Sequence, residues 1–331
     1  MASGNIEALS DERVRAHVSV RGRGETMAAA ATPDAAAGWA AHLRLRFTTE
    51  PHGGRTRLTE RRHVGPLLVQ KPFYPEGDPC HVYLIHPPGG VVGADQLQLD
   101  VQVDEHAHAL LTTPAAGKFY RCGGGPPARL RQAFEVAGRL EWLPQENIFY
   151  PGCRLELHTV VRLQAAARAI CWEIGCLGLP AAARPFDAGS LRQSLELWQE
   201  DRPLLLERLR LDPDCLEPHW GLGGQVAFGT WLAYPAGEPL LQLARAQLAG
   251  PQLARPQPDG PQPDSPQPRC APADRHCAGL TLACTLLDGV LCIRGRAART
   301  DLLRGAFTAL WRALRPALLG REAVAPRIWS T

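Results

Sequence analysis

Residues 97–104 read LQLDVQVD, and residues 154–163 read RLELHTVVRL. In both stretches an apolar side chain alternates with a polar one, and this period of two is that of a β-strand. Residues 43–48, LRLRFT, repeat the pattern. Each stretch is therefore predicted to form a strand with one buried face and one face in water.

Clusters of proline and glycine separate these stretches, as at residues 87–90 (PPGG) and 123–127 (GGGPP). Such clusters turn the chain sharply. Many short strands joined by frequent turns predict a mainly β fold.

A hairpin is predicted near the C-terminus, where the Asp-Gly pair at 288–289 separates two apolar runs, residues 281–287 and 290–294. Asp-Gly between such runs is the strongest short-range hairpin signal. A two-residue turn at this position sets the register so that Cys292 faces Thr285.

Two segments have the period of an α-helix. Residues 238–248 have a proline in the first turn and leucines along one side. Nearer the C-terminus, Thr300 precedes an apolar stripe and is predicted to cap a helix that Pro316 should limit. The stripe consists of Leu303, Phe307, Leu310, Trp311 and Leu314.

The composition is that of a globular protein, with 331 residues of which 45% are hydrophobic and 21% charged. The net charge of +3 gives no broad positive field, so binding to nucleic acid or to a membrane surface is not expected. The sequence has no run of eighteen apolar residues, so no transmembrane helix is predicted. Ten cysteines without a C-x-x-C pair indicate reduced thiols and no structural zinc site.

The first 26 residues contain four acidic residues and no apolar segment. That composition argues against a secretory signal or a transit peptide, and we expect a cytoplasmic protein. Whether translation begins at Met1 or at Met27 is left open by the sequence.

Several longer strings occur in a fixed order along the chain. They are VGPLLVQKPFYPEGDPCHVYLIHPPGGVVGAD at 64–95, LLTTPAAGKFYR at 110–121, EWLPQENIFYPG at 141–152, WEIGCLGLP at 172–180, RPLLLERLRL at 202–211, RPALLG at 315–320 and PRIWST at 326–331. Together they resemble the UreD (UreH) family of urease accessory proteins over about residues 38–331.

The resemblance implies a fold and a domain organisation. We expect a single UreD-like domain at 38–331, built as a β-helix-like, multi-strand scaffold with a few helices, after a disordered N-terminal extension at 1–37. The proline-rich segment at about 250–276 lies outside the resemblance and is expected to be an exposed loop insertion.

The resemblance also implies a function without catalysis. Such a protein serves as a metallochaperone scaffold for nickel insertion into apo-urease and bridges urease to UreF, which recruits UreG. No tightly bound cofactor is implied, and nickel would be transient cargo. A purely structural adaptor in the same complex, without a nickel path, is the main alternative.

A metal-dependent enzyme is a further alternative, since histidines, acids and cysteines are all present. No motif organises them, because the sequence lacks G-x-S-x-G, H-E-x-x-H, a phosphate-binding loop and a dinucleotide fingerprint.

Three acidic residues are candidates for a transient nickel passage: Glu173, Asp95 and Glu207. Glu173 interrupts an apolar run at 169–177, where an unpaired carboxylate would be costly, and a structural hydrogen bond is the alternative. Asp95 matches a family motif and could instead form a turn. Glu207 follows three leucines. An ion pair with the nearby Arg208 or Arg210 is a simple alternative reason for an acidic residue at this position.

Two further groups of residues contain possible metal ligands. Cys80, His81 and His86 offer donors that suit nickel, but the two histidines fall on opposite faces of a regular strand. His106 and His108 share a strand face by spacing and are expected to lie on the solvated surface.

Overall fold

A computed structural model describes residues 38–50, 54–250 and 279–330. The expected N-terminal extension and the proline-rich insertion lie outside this part of the chain. The strands, in chain order, are β1 (Ala40–Thr49), β2 (Thr56–Val64), β3 (Leu68–Val69), β4 (Cys80–Ile85), β5 (Gln96–Val103), β6 (His108–Thr112), β7 (Gly117–Phe119), β8 (Ala128–Val136), β9 (Arg139–Trp142), β10 (Asn147–Phe149), β11 (Arg154–Leu163), β12 (Arg168–Leu177), β13 (Ser190–Gln199), β14 (Arg202–Leu211), β15 (Ala227–Tyr234), β16 (Leu280–Leu287) and β17 (Val290–Ala297). The α-helices are α1 (Glu238–Ala249) and α2 (Thr300–Leu319).

Two mixed sheets account for the strands of the described residues. The seven-stranded sheet has the order β14-β13-β11-β8-β5-β1-β2, and its five central strands run parallel. The ten-stranded sheet has the path β16-β17-β15-β12-β9-β6-β4-β3, with the short strands β7 and β10 pairing beside β12. Its parallel pairs join β4 to β6, β6 to β9, β9 to β12, β12 to β10 and β10 to β7.

The chain winds from one sheet to the other in successive coils. After β5 in the seven-stranded sheet come β6 in the ten-stranded sheet and the short β7, and the same order repeats with β8, β9 and β10. Each coil therefore stacks on the one before through parallel pairing. This arrangement confirms the predicted mainly β, β-helix-like scaffold.

The ten-stranded sheet is covered on both faces. One apolar core lies between the two sheets and includes Leu45 and Phe134 from one sheet and Trp142 from the other. A second core lies between the opposite face and the two helices, where Trp172 and Phe307 meet. Polar side chains on this sheet consequently need partners within the protein.

The predicted local elements agree well with the structure. The alternating stretches form β1, β5 and β11, and the hairpin has the expected register, with Cys292 opposite Thr285. Helix α1 covers the predicted residues 238–248 and one more.

The prediction for the ends of α2 was wrong. Thr300 is the first residue of the helix, and Arg299 occupies the N-cap position without a capping side chain. Pro316 lies inside the helix, which continues to Leu319 before Gly320 adopts a left-handed conformation at φ 69°. Glycine accepts that conformation without a steric penalty, so it ends the helix where Pro316 does not. No helix in the described ranges is long and apolar enough to cross a membrane.

A buried ion cluster attaches α2 to the ten-stranded sheet. Arg315 donates hydrogen bonds to both oxygens of Glu141, at 2.9–3.1 Å, and to both oxygens of Glu76, at 2.8 Å. His108 is 2.7 Å from Glu141, and His81 is 2.7 Å from Glu76. The side chains of Arg315, Glu141, His81 and His108 are all fully buried.

The cluster is held together by charge. Burial by itself would raise the pKa of Glu141, but His108 and Arg315 outweigh burial and lower the pKa to about 2. Trp311, one turn before Arg315 on α2, donates a hydrogen bond to the same carboxylate at 2.5 Å. Because two carboxylates share Arg315, the loss of this one side chain would leave both of them short of a buried partner.

We expect Arg315→Ala to lower the free energy of unfolding by about 3–5 kcal/mol, since it leaves buried carboxylates without their cation. Arg312→Ala removes an exposed arginine from the same helix and should change that energy by less than about 0.5 kcal/mol. Urea unfolding followed by circular dichroism measures both. Equal effects of the two substitutions would contradict a stabilising role for the cluster.

Candidate functional site

Two polar residues lie in the core between the sheets, in one row of paired residues that crosses the seven-stranded sheet. Parallel pairing aligns Leu43, Leu99, Gln132, Thr159 and Leu195 across five neighbouring strands. The two polar members of this row are buried like their apolar neighbours. A buried hydroxyl and a buried amide therefore lie side by side in an otherwise apolar layer.

Glu173 faces this row from the ten-stranded sheet. It points to the same core as Cys171, two residues earlier on β12, and only 5% of its surface is exposed. Its Oε1 lies 2.5 Å from the Thr159 hydroxyl, and its Oε2 accepts a 2.5 Å hydrogen bond from the Gln193 amide. The carboxyl group thus bridges the two sheets.

Burial, with a smaller contribution from the charge of Glu207, raises the pKa of Glu173 to about 7, although the hydrogen bonds with Thr159 and Gln193 act to lower it. The hydroxyl of Thr159 also lies 3.1 Å from Oε1 of Gln132. A hydroxyl has one proton to donate. If the Thr159 hydroxyl donates its proton to the Gln132 oxygen, then its contact with Glu173 is a hydrogen bond only when Glu173 carries a proton of its own.

Glu207, on β14, faces the same core near the edge of the sheets. Its Oε1 accepts a 2.7 Å hydrogen bond from the Thr230 hydroxyl, and its Oε2 accepts a 2.6 Å hydrogen bond from Nε of Arg294. Its side chain is 16% exposed, whereas that of Arg294 is 51% exposed.

The ion-pair partner expected for Glu207 from sequence proximity is not the one in the structure. Arg208 points to the other face of β14 and pairs with Glu196 at 2.7 Å, and Arg210 pairs with Asp212 at 3.7 Å. Strand alternation separates Glu207 from both neighbours, and the partner comes from β17, 87 residues later.

The groups around Glu173 and Glu207 meet at Thr230. In the ten-stranded sheet Thr230 lies opposite Glu173 on one side and opposite Arg294 on the other. We name the whole series the polar track. It consists of Gln132, Thr159, Glu173, Gln193, Glu207, Thr230 and Arg294.

Comparison with known proteins identifies the family. The family described as UreD urease accessory protein matches residues 40–330. The chain is 44% identical over 297 residues to the urease accessory protein UreD of Pseudomonas putida (strain W619), covering 89% of this chain and 95% of that protein. It is 40% identical over 296 residues to the UreD of Citrobacter koseri, covering 89% and 92%. The chain belongs to the UreD family. It is accordingly a urease accessory protein, from a family that is not named for a catalytic activity.

The third candidate, Asp95, lies apart from the polar track in this UreD protein. It follows the turn in which Ala94 adopts a positive φ of 69°. Its Oδ1 accepts the backbone N–H of Trp39 at 2.8 Å, and its Oδ2 accepts that of Val92 at 2.9 Å. Both oxygens hold backbone in place, as in a turn-forming aspartate.

Cys80, His81 and His86 do not converge on one point. Cys80 faces the core between the sheets, His81 faces the opposite side and contacts Glu76, and His86 follows the end of β4. Burial lowers the pKa of His86. In the described ranges no three His, Cys, Asp or Glu side chains are arranged to hold a metal ion.

The expectation of a solvated surface was wrong for His108. His106 is exposed in a turn with a φ of 62°, but His108 begins β6 and is fully buried in the ion cluster. Spacing alone does not show that a helix from the C-terminus covers this strand.

Sequence reasoning missed the polar partners of Glu173, although a signal for them was present. In the alternation of residues 155–163, Thr159 occupies an inward position between leucines and valine, and Gln193 interrupts a similar series on β13. A polar residue in the apolar register of a strand indicates a buried hydrogen bond.

The raised pKa of Glu173 predicts a pH dependence of stability. Between about pH 4.5 and 7 the folded chain keeps a proton on Glu173 that the unfolded chain has lost, so this residue makes the free energy of unfolding fall as pH rises. The fall amounts to about 3 kcal/mol. Glu173→Gln has no titrating proton and should lose this component.

Urea unfolding of both proteins at pH 5 and pH 7.5 measures the effect. Glu156→Gln, on the exposed face of β11, is the matched control and should keep the slope of the unmodified chain. An identical pH slope in the Glu173→Gln protein would contradict a raised pKa.

Proposed function

We propose that this UreD protein is a metallochaperone scaffold for nickel insertion into apo-urease. In this proposal it acts in the cytoplasm, binds apo-urease and UreF, and meets UreG through UreF. Its accessory role follows from the family, and the relatives that carry the UreD name match nearly the whole chain. Nickel is cargo and is not a resident cofactor.

We further propose that nickel crosses this chain along the polar track. The observation that carries this step is the carboxyl group of Glu173, which lies in an apolar core with the polar groups of Thr159 and Gln193 and no cation beside it. An ion pair is the usual reason for a buried acid, as in the Arg315 cluster. Among the described residues, Glu173 has no such partner.

The chemistry of the track suits passage better than storage. Nickel accepts carboxylate oxygens, and the hydroxyl and amide groups beside Glu173 can orient the carboxylate or a water molecule. A path for an ion must bind it weakly enough for release. Glu173 and Glu207 lie on different strands and offer one carboxylate each, which meets that condition.

Asp95 is the weakest of the three candidates for this path. Its oxygens already accept two backbone hydrogen bonds, and it lies at the turn that precedes β5. We propose that Asp95 supports the local backbone and that Glu173 and Glu207 are the residues that contact nickel.

A purely structural adaptor is the second candidate function. Trp220 is 77% exposed and Trp39 is 59% exposed, and exposed tryptophans are frequent contact residues in protein interfaces. In that case binding to partners would be the whole role of the chain, and the polar track would only stabilise the fold.

Urease maturation in cells separates the two functions. Cells carry the other urease genes together with this chain unmodified, deleted, or substituted as Glu173→Gln. Nickel passage predicts that deletion abolishes nickel loading of urease and that Glu173→Gln lowers it at least about tenfold while partner binding is kept. Nickel content and urease activity are measured beside a pull-down of UreF and urease.

The control is Glu156→Gln, which removes one carboxylate from the exposed face of β11 and should leave nickel loading unchanged. If Glu173→Gln loads urease normally, the adaptor function is favoured. If deletion of the chain leaves urease fully loaded, the accessory role itself is wrong.

A further inference from the structure

The outer end of the polar track is occupied by a positive charge of the protein itself. Arg294 donates a hydrogen bond from Nε to Oε2 of Glu207 at 2.6 Å, and the Thr230 hydroxyl occupies Oε1 at 2.7 Å. Both carboxylate oxygens therefore have a donor. A divalent ion that approached Glu207 in this arrangement would meet the positive charge of Arg294 beside Oε2.

We propose that Arg294 is a removable plug, which holds Glu207 in place of a cation and must leave that carboxylate before a divalent ion can enter the polar track. This inference rests on the proposed nickel path and adds the residue that controls access to it.

The exposure of the pair makes the plug removable. The side chain of Arg294 is 51% exposed, and within the described residues only its Nε has a hydrogen-bond partner. Ion pairs that face water contribute little to stability, so their arginine can exchange with solvent at small cost. The two terminal guanidinium nitrogens are free to hydrate or to meet a carboxylate on a docked protein.

Arg315, which also binds buried carboxylates, shows the contrast. Arg315 is fully buried, contacts Glu76 and Glu141 together, and so is fixed in the structure. Arg294 contacts one carboxylate through one hydrogen bond, and about half of its side chain is exposed. Of these two residues, Arg294 has the geometry of a movable group.

Electrostatics give the plug its effect. A unit positive charge about 5 Å from a divalent cation repels it by between one and two kcal/mol even in water, which corresponds to roughly a tenfold change in affinity. With Arg294 in place, the charge of Glu207 is neutralised. Without Arg294, Glu207 presents a free carboxylate next to Thr230, and Thr230 lies opposite Glu173 on the neighbouring strand.

Nickel binding to the purified full-length chain tests the plug. Equilibrium dialysis against Ni²⁺, with bound metal measured by mass spectrometry, gives the affinity. Arg294→Gln should bind Ni²⁺ about tenfold more tightly than the unmodified chain. Arg294→Lys keeps the charge and should remain within about threefold of the unmodified chain.

Two further variants provide controls. Arg208→Gln removes an arginine of similar exposure, 58%, from an ion pair on the opposite face of β14, and should leave the affinity unchanged. The double variant Glu207→Gln, Arg294→Gln removes the carboxylate as well, so it should lose the gain seen with Arg294→Gln alone.

The outcomes distinguish the proposed role of Arg294 as a plug from the proposed nickel path. If Arg294→Gln binds Ni²⁺ no better than Arg208→Gln while Glu173→Gln weakens binding, the plug is wrong and the nickel path stands. If neither Glu173→Gln nor Glu207→Gln alters Ni²⁺ binding or urease loading, the path is wrong and the plug with it. A gain that survives in the double variant also overturns the plug, because Glu207 would then not be the ligand released.

Discussion

The carboxylate of Glu141 has no access to water, and the attachment of the C-terminal helix depends on how it is neutralised. Arg315 and His108 supply that neutralisation from α2 and from β6. Because Arg315 also holds Glu76, one guanidinium fixes the helix, a loop and the parallel strands together. The second core can form only when this helix lies across the sheet, so the buried charge sets the register of the helix on the strands.

The same constraint acts on the other face of the ten-stranded sheet, with a different solution. Glu173 is buried there without a cation, and its hydrogen bonds are with Thr159 and Gln193. Its pKa is raised to about 7, whereas that of Glu141 is lowered to about 2. One sheet thus has an acid paired with an arginine on one face and an acid without a counter-ion on the other, and this difference supports the proposal made for Glu173.

Much of the fold could be predicted because local pattern determines it. The alternation in β1, β5 and β11, the Asp-Gly hairpin and the residues of α1 all follow from side-chain period and turn chemistry. The position of Glu173 in an apolar strand was also visible. The end of α2 was less predictable, because Pro316 lies within the last turn and the left-handed Gly320, not the proline, ends the helix.

The sequence by itself determined the strand pattern, the UreD resemblance and the position of Glu173 in an apolar strand, since these depend on residues close together in the chain. Tertiary structure alone decided which partner each acid has. Arg294 reaches Glu207 across 87 residues, and Arg315 reaches Glu141 across 174, because winding between two sheets brings distant strands together. Ion pairing depends on distances of a few ångströms in space, and no local pattern records which distant side chain will arrive there.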